Sequence, residues 1–439
     1  MARLKLSLVY NSQIKIMRAL FISANTEKIT MPVLPLGLAC VASSTKRAGY
    51  DVTMVDLEIE RDTSTVLKEA IEVFCPDIIG ISVRNIDDQR MENSRLLLDP
   101  IKEIVTLCRD LSEVPIVLGG AGYSIFPESA LSFLGADMGI QGEGEVVFPE
   151  LMRRIELGAD LLKLPGLYLP GHGLQCERMF VKDQDQLPLP EPDLWPVLSK
   201  KEEIWLPVQT RRGCPLSCSY CSTGTIEGRT IRKRSPELVV QWIARWRKAG
   251  VERFYFVDNT FNLPPSYAKE VCRKLIDYDL NIRWWSIIYP KGVDEELVRL
   301  MVRSGCEHVS LGSESGSERI LKDMNKRFTP KEVRQISEMI SNHGINQMGF
   351  LLLGSPGETR ESVKESLVFA DSLRLDTLKI TVGVRIYPHT PLAKSAENEG
   401  VISSKDNLLL PRFYLAKGLE NWLPDTLKNW MVKRTHWMI

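Results

Sequence analysis

"RRGCPLSCSYCSTG", residues 211–224, places Cys214, Cys218 and Cys221 within eight residues, and no further cysteine follows until Cys272. Thiols this close on one short loop suggest a metal centre. Structural zinc wants four ligands, usually two Cys or Cys/His pairs, yet no histidine lies between Gly173 and Glu307. A thioredoxin-like dithiol needs only two cysteines. A [4Fe–4S] cubane takes cysteine thiolates on its irons, and three thiolates leave one iron open to chelate a substrate or cofactor. The spacing favours such an open-iron cluster, with zinc or a redox dithiol as the alternatives.

The whole chain sets the frame for that loop. At 439 residues it exceeds one ordinary core and implies two or three domains. Lys+Arg and Asp+Glu balance at 56 each, so no global field directs it to nucleic acid or to an anionic membrane. No apolar run approaches the roughly 20 residues that span a bilayer, and the N-terminus lacks a signal-peptide pattern. The expectation is a cytoplasmic protein. In a reducing cytosol, clustered thiols read as metal ligands and not as a disulfide scaffold. The cysteines outside the cluster loop (Cys40, Cys75, Cys108, Cys176, Cys272 and Cys306) stand singly, as small hydrophobes do.

Before the cysteines, residues 1–150 alternate β-rich runs, "RALFIS", "DVTMVDL", "DIIGISV" and "VPIVLGG", with longer amphipathic stretches. That is the pattern of a Rossmann-like, doubly wound α/β domain, which binds ligands beyond the carboxyl ends of its strands. Gly119 and Gly120 close the fourth run, where backbone passes near a ligand or simply turns tightly. "QGEGE", 141–145, opens another helix. Residues 151–205 are rich in proline and glycine and read as a linker.

From 206 to 400 the alternation resumes. Strands are expected at "WLPVQT", "RFYFVDNTF", "IRWWSIIY", "HVSLGSES", "QMGFLLLG" and "LKITVGVRIY", with helices between them. Six β/α units in under 200 residues fall short of the about 250 residues of a closed eight-unit barrel. They predict a partial (β/α)6 barrel, with its site at the strand C-termini and the cysteines just after the first strand. Residues 401–439 read as a short helical tail. The basic stretch "STGTIEGRTIRKRSPE", 222–237, is either a contact for an anionic ligand or a solvated loop.

The Cys-x3-Cys-x2-Cys spacing, with Tyr220 before the last cysteine, resembles the radical S-adenosylmethionine (radical SAM) superfamily over most of residues 205–395. The resemblance implies a [4Fe–4S] cluster on Cys214, Cys218 and Cys221, with S-adenosylmethionine on the open iron and an electron from an external donor such as flavodoxin or ferredoxin. It also implies cofactor contacts. Tyr220 would lie beside the cluster. Glu314, in "GSESG", would hold the ribose or amino group, Ser286 the ribose and Arg385 the methionine carboxylate. "GSPGET", 354–359, would lie near the adenine. The family's Gly-Gly-Glu-like motif is replaced by "VDNTFN", so Asp258 and Asn259 would substitute for it.

The N-terminal segments "LPLGLACVASSTKRAGYDVTMVDL", "PDIIGISV", "IVLGGAGYS" and "QGEGE" resemble the cobalamin-binding domain found ahead of the radical domain in one class of that superfamily. Gly119 and Gly120 would then line the cleft for the nucleotide tail. The Asp-x-His-x-x-Gly motif is absent, and no histidine precedes His172, so a bound cobalamin would have no lower histidine from this domain. The resemblance implies cobalamin-dependent methyl transfer to an unactivated carbon of a small molecule or natural-product intermediate. Two other enzyme outcomes stay open. One is cobalamin-independent cyclisation or rearrangement; the other is transfer of the 3-amino-3-carboxypropyl group to an acceptor such as arsenite. A non-catalytic cobalamin or iron–sulfur sensor is the alternative outside enzymes.

Overall fold

The computed structural model describes residues 16–25, 34–58, 62–194 and 205–439. Its first sheet contains β1 (Arg18–Ser23), β2 (Asp51–Asp56), β3 (Ile78–Ser82), β4 (Ile116–Gly119) and β5 (Met138–Ile140), all parallel. The crossovers are α1 (Leu36–Arg47), α2 (Thr63–Phe74), α3 (Leu98–Leu111), and α4 (Ala121–Ile125) with α5 (Pro127–Leu134). Strand order 2-1-3-4-5 makes this a doubly wound sheet whose switch point lies between β1 and β3. Helices cover both faces, so strands such as RALFIS are apolar and buried almost throughout.

The sheet continues past residue 150. After α6 (Gly144–Glu156), the hairpin of β6 (Leu167–Leu169) and β7 (Gly173–Leu174) adds antiparallel to β5. Part of the expected linker thus belongs to the first domain, where it covers the sheet edge. The loop after Asn25 and the end of the proline-rich stretch after Leu194 fall outside the described residues.

The second unit starts with β8 (Leu206–Val208). A small ribbon of β9 (Arg211–Arg212) and β10 (Arg232–Lys233) then brackets the cysteine loop and α7 (Thr223–Glu227). The parallel strands continue with β11 (Arg253–Phe256), β12 (Arg283–Ile288), β13 (Cys306–Glu314), β14 (Asn346–Leu353) and β15 (Thr377–Val382), each paired with the one before. The helices between them begin with α8 (Pro236–Lys248), α9 (Pro265–Asp277) and α10 (Glu295–Arg303). They continue with α11 (Glu318–Asp323), α12 (Pro330–Asn342) and α13 (Arg360–Asp371). Local chemistry sets their starts: Ser235 and Asp294 cap α8 and α10, and Thr329 forms a capping box with Glu332 on α12. The six-strand open barrel expected from the sequence is present. The tail differs in one respect. Beyond the ribbon β16 (Val384–Arg385) and β17 (Phe413–Tyr414), and the helices α14 (Pro391–Asn398) and α15 (Trp422–Met431), the chain ends with β18 (Trp437–Met438), a seventh parallel strand on β15.

The two sheets bury side chains differently. In β12 the pattern strictly alternates, with Trp284, Ser286 and Ile288 buried and Trp285 and Ile287 half-buried. The buried face packs on α8, α9 and α10 in one apolar cluster. The other face looks into the barrel and keeps contact with solvent.

The domains share a core: Leu36, Ala39 and Cys40 of α1 pack with Leu206, Val208 and Val240 of the barrel. The loop after β3 also reaches the last strands. Asp87 Oδ2 lies 2.8 Å from Arg385 Nε, and Met91 packs so closely on Gly383 that a Cβ there would meet its sulfur at 2.5 Å.

Candidate active site

The cysteine loop leaves β8 and is anchored at once by Asp258, at the end of β11. One carboxylate oxygen accepts from the backbone N–H groups of Thr210 (2.8 Å) and Arg211 (3.1 Å), and the other from Thr210 Oγ1 (2.6 Å) and Arg211 Nη2 (3.4 Å). Asp258 is fully buried and its acceptor sites are filled. Its place is under the loop, leaving it no capacity for the amino group of a ligand. Gly213, just before Cys214, has φ +86°, and a Cβ there would sit 2.1 Å from the Thr230 carbonyl oxygen, so only glycine fits.

The far side of the loop is clamped from "MNKR", 324–327. Asn325 Nδ2 donates to the carbonyl (2.7 Å) and hydroxyl (3.0 Å) of Ser217, and Ser219 N donates to the Met324 carbonyl at 3.0 Å. Cys214 is buried, Cys218 half-buried and Cys221 exposed. Burial pushes the Cys214 thiol up to about 11, and the charges of Cys218 and Cys221 add to that shift. Among the described residues no three Cys, His, Asp or Glu side chains converge on a single ion. Three neighbouring thiols spread over one clamped loop suit a multi-iron cluster better than a mononuclear zinc.

Lys326, which the sequence reading missed, is central here. Its ammonium is buried, donates to Glu314 Oε1 at 2.9 Å and lies 5.1 Å from the centre of the Tyr220 ring. Burial works against its charge, but Glu314, Tyr220 and Cys218 outweigh that and hold its pKa well above the ordinary lysine value. Tyr220 is itself pushed up by burial and by Glu314. Glu314 ends β13 at φ +61°, a conformation uncommon for any residue but glycine. The pair Glu314–Lys326 therefore places one fixed charge of each sign beside Cys218.

The other predicted residues divide. Asn259 joins the site: its Oδ1 accepts from Thr223 Oγ1 (3.3 Å), which lies 3.2 Å from Cys221 Sγ. Ser286 does not. It shares the outward face of β12 with Trp284 and Ile288, and its hydroxyl is buried among the helices without a partner. Arg385 does not either. Its guanidinium is spent on Asp87 and on the carbonyls of Ile386 (2.7 Å) and Leu408 (2.8 Å), clamping the first domain to the tail. In the basic stretch after the cysteines Arg229 and Lys233 are exposed, but Arg232 and Arg234 are buried and engaged within the protein. Arg232 pairs with Glu143, and Arg234 donates to the carbonyls of Gln184 (2.6 Å) and Leu187 (2.9 Å). In "GSPGET", the Glu358 carboxylate accepts from the backbone N–H groups of Gly354 and Ser355, and burial raises its pKa to about 7.

A cavity of about 310 Å³ opens where the carboxyl ends of β1, β3 and β4 face the barrel. Ser23, Ser82 and Gly119 line it from the first domain, and Gln209, Arg212 and Glu227 from the second. At Gly119 an added Cβ would meet nothing nearer than 3.9 Å, so the missing side chain leaves the cavity floor open. Gly120 is glycine for another reason. Its φ is +104°, and a Cβ would strike the Val83 carbonyl oxygen at 2.6 Å. No imidazole lines the cavity among the described residues. A floor of bare backbone at the switch point fits a large ligand seated there without a histidine beneath it.

One polar chain joins this cavity to the cysteines. Arg212 bonds Glu145 of α6 with one arm, and its Nε donates to Gln209 Oε1 at 2.9 Å. Gln209 Nε2 donates to Glu227 (2.9 Å), Asn259 Nδ2 donates to the other Glu227 oxygen (2.6 Å), and Asn259 holds Thr223 beside Cys221.

Fold and site together define a cluster-bearing partial barrel behind a ligand-binding doubly wound domain. Residues 208–370 match the Radical SAM superfamily and residues 22–152 the B12 binding domain. The chain carries a Radical SAM domain and, ahead of it, a B12 binding domain. Over 86% of its length it is 29% identical to an uncharacterised methyltransferase of Pyrococcus horikoshii, covering 83% of that protein. It is 22% identical to the tryptophan 2-C-methyltransferase of Streptomyces laurentii, over 84% of this chain and 73% of that one. Among solved structures, the radical S-adenosylmethionine methyltransferase TsrM of Kitasatospora setae, with cobalamin and a [4Fe–4S] cluster bound, superposes with a TM-score of 0.79 at 24% identity. That superposition covers 89% of this chain and 76% of TsrM. The cobalamin-dependent radical enzyme OxsB superposes with a TM-score of 0.76 at 18% identity, over 95% of this chain and 67% of OxsB.

Proposed function

We propose that this protein is a cobalamin-dependent radical SAM methyltransferase acting on a small molecule. The observation that carries the reading is the shared wall. Glu145, Arg212, Gln209 and Glu227 line the cavity, and their hydrogen bonds run on to Cys221. A cobalamin in the cavity and a cluster on the loop would face one reaction space. When bound, the cluster and S-adenosylmethionine supply a 5′-deoxyadenosyl radical, and cobalamin supplies a methyl carrier.

The chain's own residues do the rest. Cys214, Cys218 and Cys221 hold the cluster on a loop that Asp258 and Asn325 keep rigid. Lys326 offers its ammonium to the methionine carboxylate, the role first assigned to Arg385. Glu314 keeps that ammonium charged and offers its second oxygen to the amino group or ribose. The walls of the first domain orient the carrier and exclude water. An external donor such as flavodoxin or ferredoxin supplies the electron in the cytoplasm.

The test is anaerobic reconstitution with cluster and hydroxocobalamin, followed by incubation with trideuteromethyl-labelled S-adenosylmethionine. Cobalamin retention together with S-adenosylhomocysteine and 5′-deoxyadenosine as products supports the reading. 5′-Methylthioadenosine as the only nucleoside product would point to aminocarboxypropyl transfer and sink it.

A further inference from the structure

Cys221 is the exposed member of the three cluster cysteines, and one residue reaches its sulfur with two groups. Thr223 Oγ1 lies 3.2 Å from Cys221 Sγ, and the Thr223 backbone N–H donates to the same sulfur at 3.5 Å. The hydroxyl has one proton and two neighbours able to accept it. The second neighbour is Asn259 Oδ1, at 3.3 Å. Asn259 is not free to turn and improve that contact. Its Nδ2 donates to Glu227 at 2.6 Å, and Glu227 is held in turn by Gln209 Nε2 (2.9 Å) and the Gly213 N–H (3.0 Å).

Distance and charge decide where the proton goes. An O–H···O bond is normally about 2.5–3.0 Å long, so the Asn259 contact is stretched. Sulfur is the larger atom, and an oxygen 3.2 Å from it is close. A free thiol can donate to the Thr223 hydroxyl. A cysteine that ligates iron is a thiolate, which has no proton to give and only accepts. The contact then reverses, and charge-assisted bonding draws the Thr223 proton to the sulfur.

We infer that Thr223 sets the reduction potential of the cluster by donating its hydroxyl, beside its amide, to the Cys221 thiolate, with Asn259 and Glu227 holding it in place. Thr223 acts through Cys221 and is a positioning residue. One-electron reduction adds negative charge that the thiolate sulfurs share, so a donor to sulfur stabilises the reduced form more than the oxidised one and raises the potential. This rests on the cluster being seated on Cys214, Cys218 and Cys221, and not on methyl transfer.

A redox titration tests it without turnover. Full-length protein is reconstituted anaerobically with iron and sulfide, without S-adenosylmethionine or cobalamin. It is titrated with dithionite and mediators, and the reduced cluster is read by electron paramagnetic resonance. Thr223→Val keeps the shape and the amide and loses the hydroxyl. The expected result is a ratio of oxidised to reduced cluster raised at least about threefold at a fixed potential, a fall in midpoint of about 28 mV at about 59 mV per tenfold for one electron. Thr223→Ser, which keeps the hydroxyl, holds the wild-type midpoint. Thr223→Ala loses the hydroxyl without adding a methyl and decides the matter where Thr223→Val takes up less iron. An unchanged midpoint on loss of the hydroxyl, or a fall in Thr223→Ser as large as in Thr223→Val, overturns the inference. A wild type that takes up no iron overturns the cluster itself, and iron and sulfide analysis of the same preparation tells that failure from this one.

Discussion

Glu145 and Arg212 form a buried ion pair across the domain boundary, 67 residues apart in sequence and two residues before Cys214. Each is more than nine-tenths buried. Removing Arg212 leaves the Glu145 carboxylate stranded, which typically costs roughly 3–5 kcal/mol, whereas Arg212 without Glu145 keeps Glu143 at 3.4 Å. Arg212→Met is expected to lower unfolding free energy by that amount in urea melts, Glu145→Leu by less, and the double variant by less than their sum. Strict additivity would mean that the pair contributes nothing as a pair.

Replacing Cys214, Cys218 and Cys221 with Ala is expected to abolish iron binding. The wild type should take up about four irons and four sulfides per chain on anaerobic reconstitution. Iron and sulfide analysis with the visible absorbance of the cluster checks this. A triple variant that still holds a cubane would place the cluster elsewhere.

The cation for the methionine carboxylate distinguishes Lys326 from Arg385. Loss of one charge-assisted hydrogen bond costs about 1.5–3 kcal/mol, roughly ten- to a hundredfold in affinity. Lys326→Met should weaken S-adenosylmethionine binding by that factor, and so should Glu314→Gln, with cluster absorbance kept. Arg385→Lys should leave the affinity nearly unchanged and instead lower the melting temperature, because its three-way clamp to Asp87 and two carbonyls is lost.

Gly119 and Gly120 should separate ligand binding from folding. Gly119→Val fills the open cavity floor, so the protein should fold and fail to retain hydroxocobalamin after desalting. Gly120→Ala forces a Cβ onto a carbonyl at positive φ, which costs roughly 1–3 kcal/mol in backbone strain alone, so it should destabilise the fold whether or not cobalamin is added. Thermal melts with and without hydroxocobalamin read both effects.

Glu358 gives the protein a stability term that falls with rising pH. Its buried carboxyl ionises near pH 7, above the ordinary value of 4.5. The folded form therefore holds a proton that the unfolded chain has released, and stability declines between about pH 4.5 and pH 7. Both backbone donors bond Oε2, while Oε1 is buried without a partner. Gln can accept both bonds and stay neutral. Glu358→Gln should remove this decline and gain up to roughly 2 kcal/mol at pH 8 relative to the wild type, measured by denaturant melts across the range.

The sequence by itself determined what depends on neighbours along the chain. The strand and helix order of both units follows from local periodicity and capping, and the cysteine loop is a contiguous motif. Gly119 and Gly120 were visible as a turn at a strand end, though not their division of labour, because which glycine faces a ligand depends on β3 packing beneath Gly120. Tertiary structure decided what depends on groups far apart. Ser286 looked like a ligand contact until register put it on the face of Trp284. Arg385 had a cation's chemistry, but Asp87, 298 residues away, already neutralises it. Lys326 carried no signal beyond being one of many lysines, and only the fold buries it against Glu314 and Cys218. A charged side chain's role is set by which opposite charges and how much water surround it, and long-range packing alone fixes both.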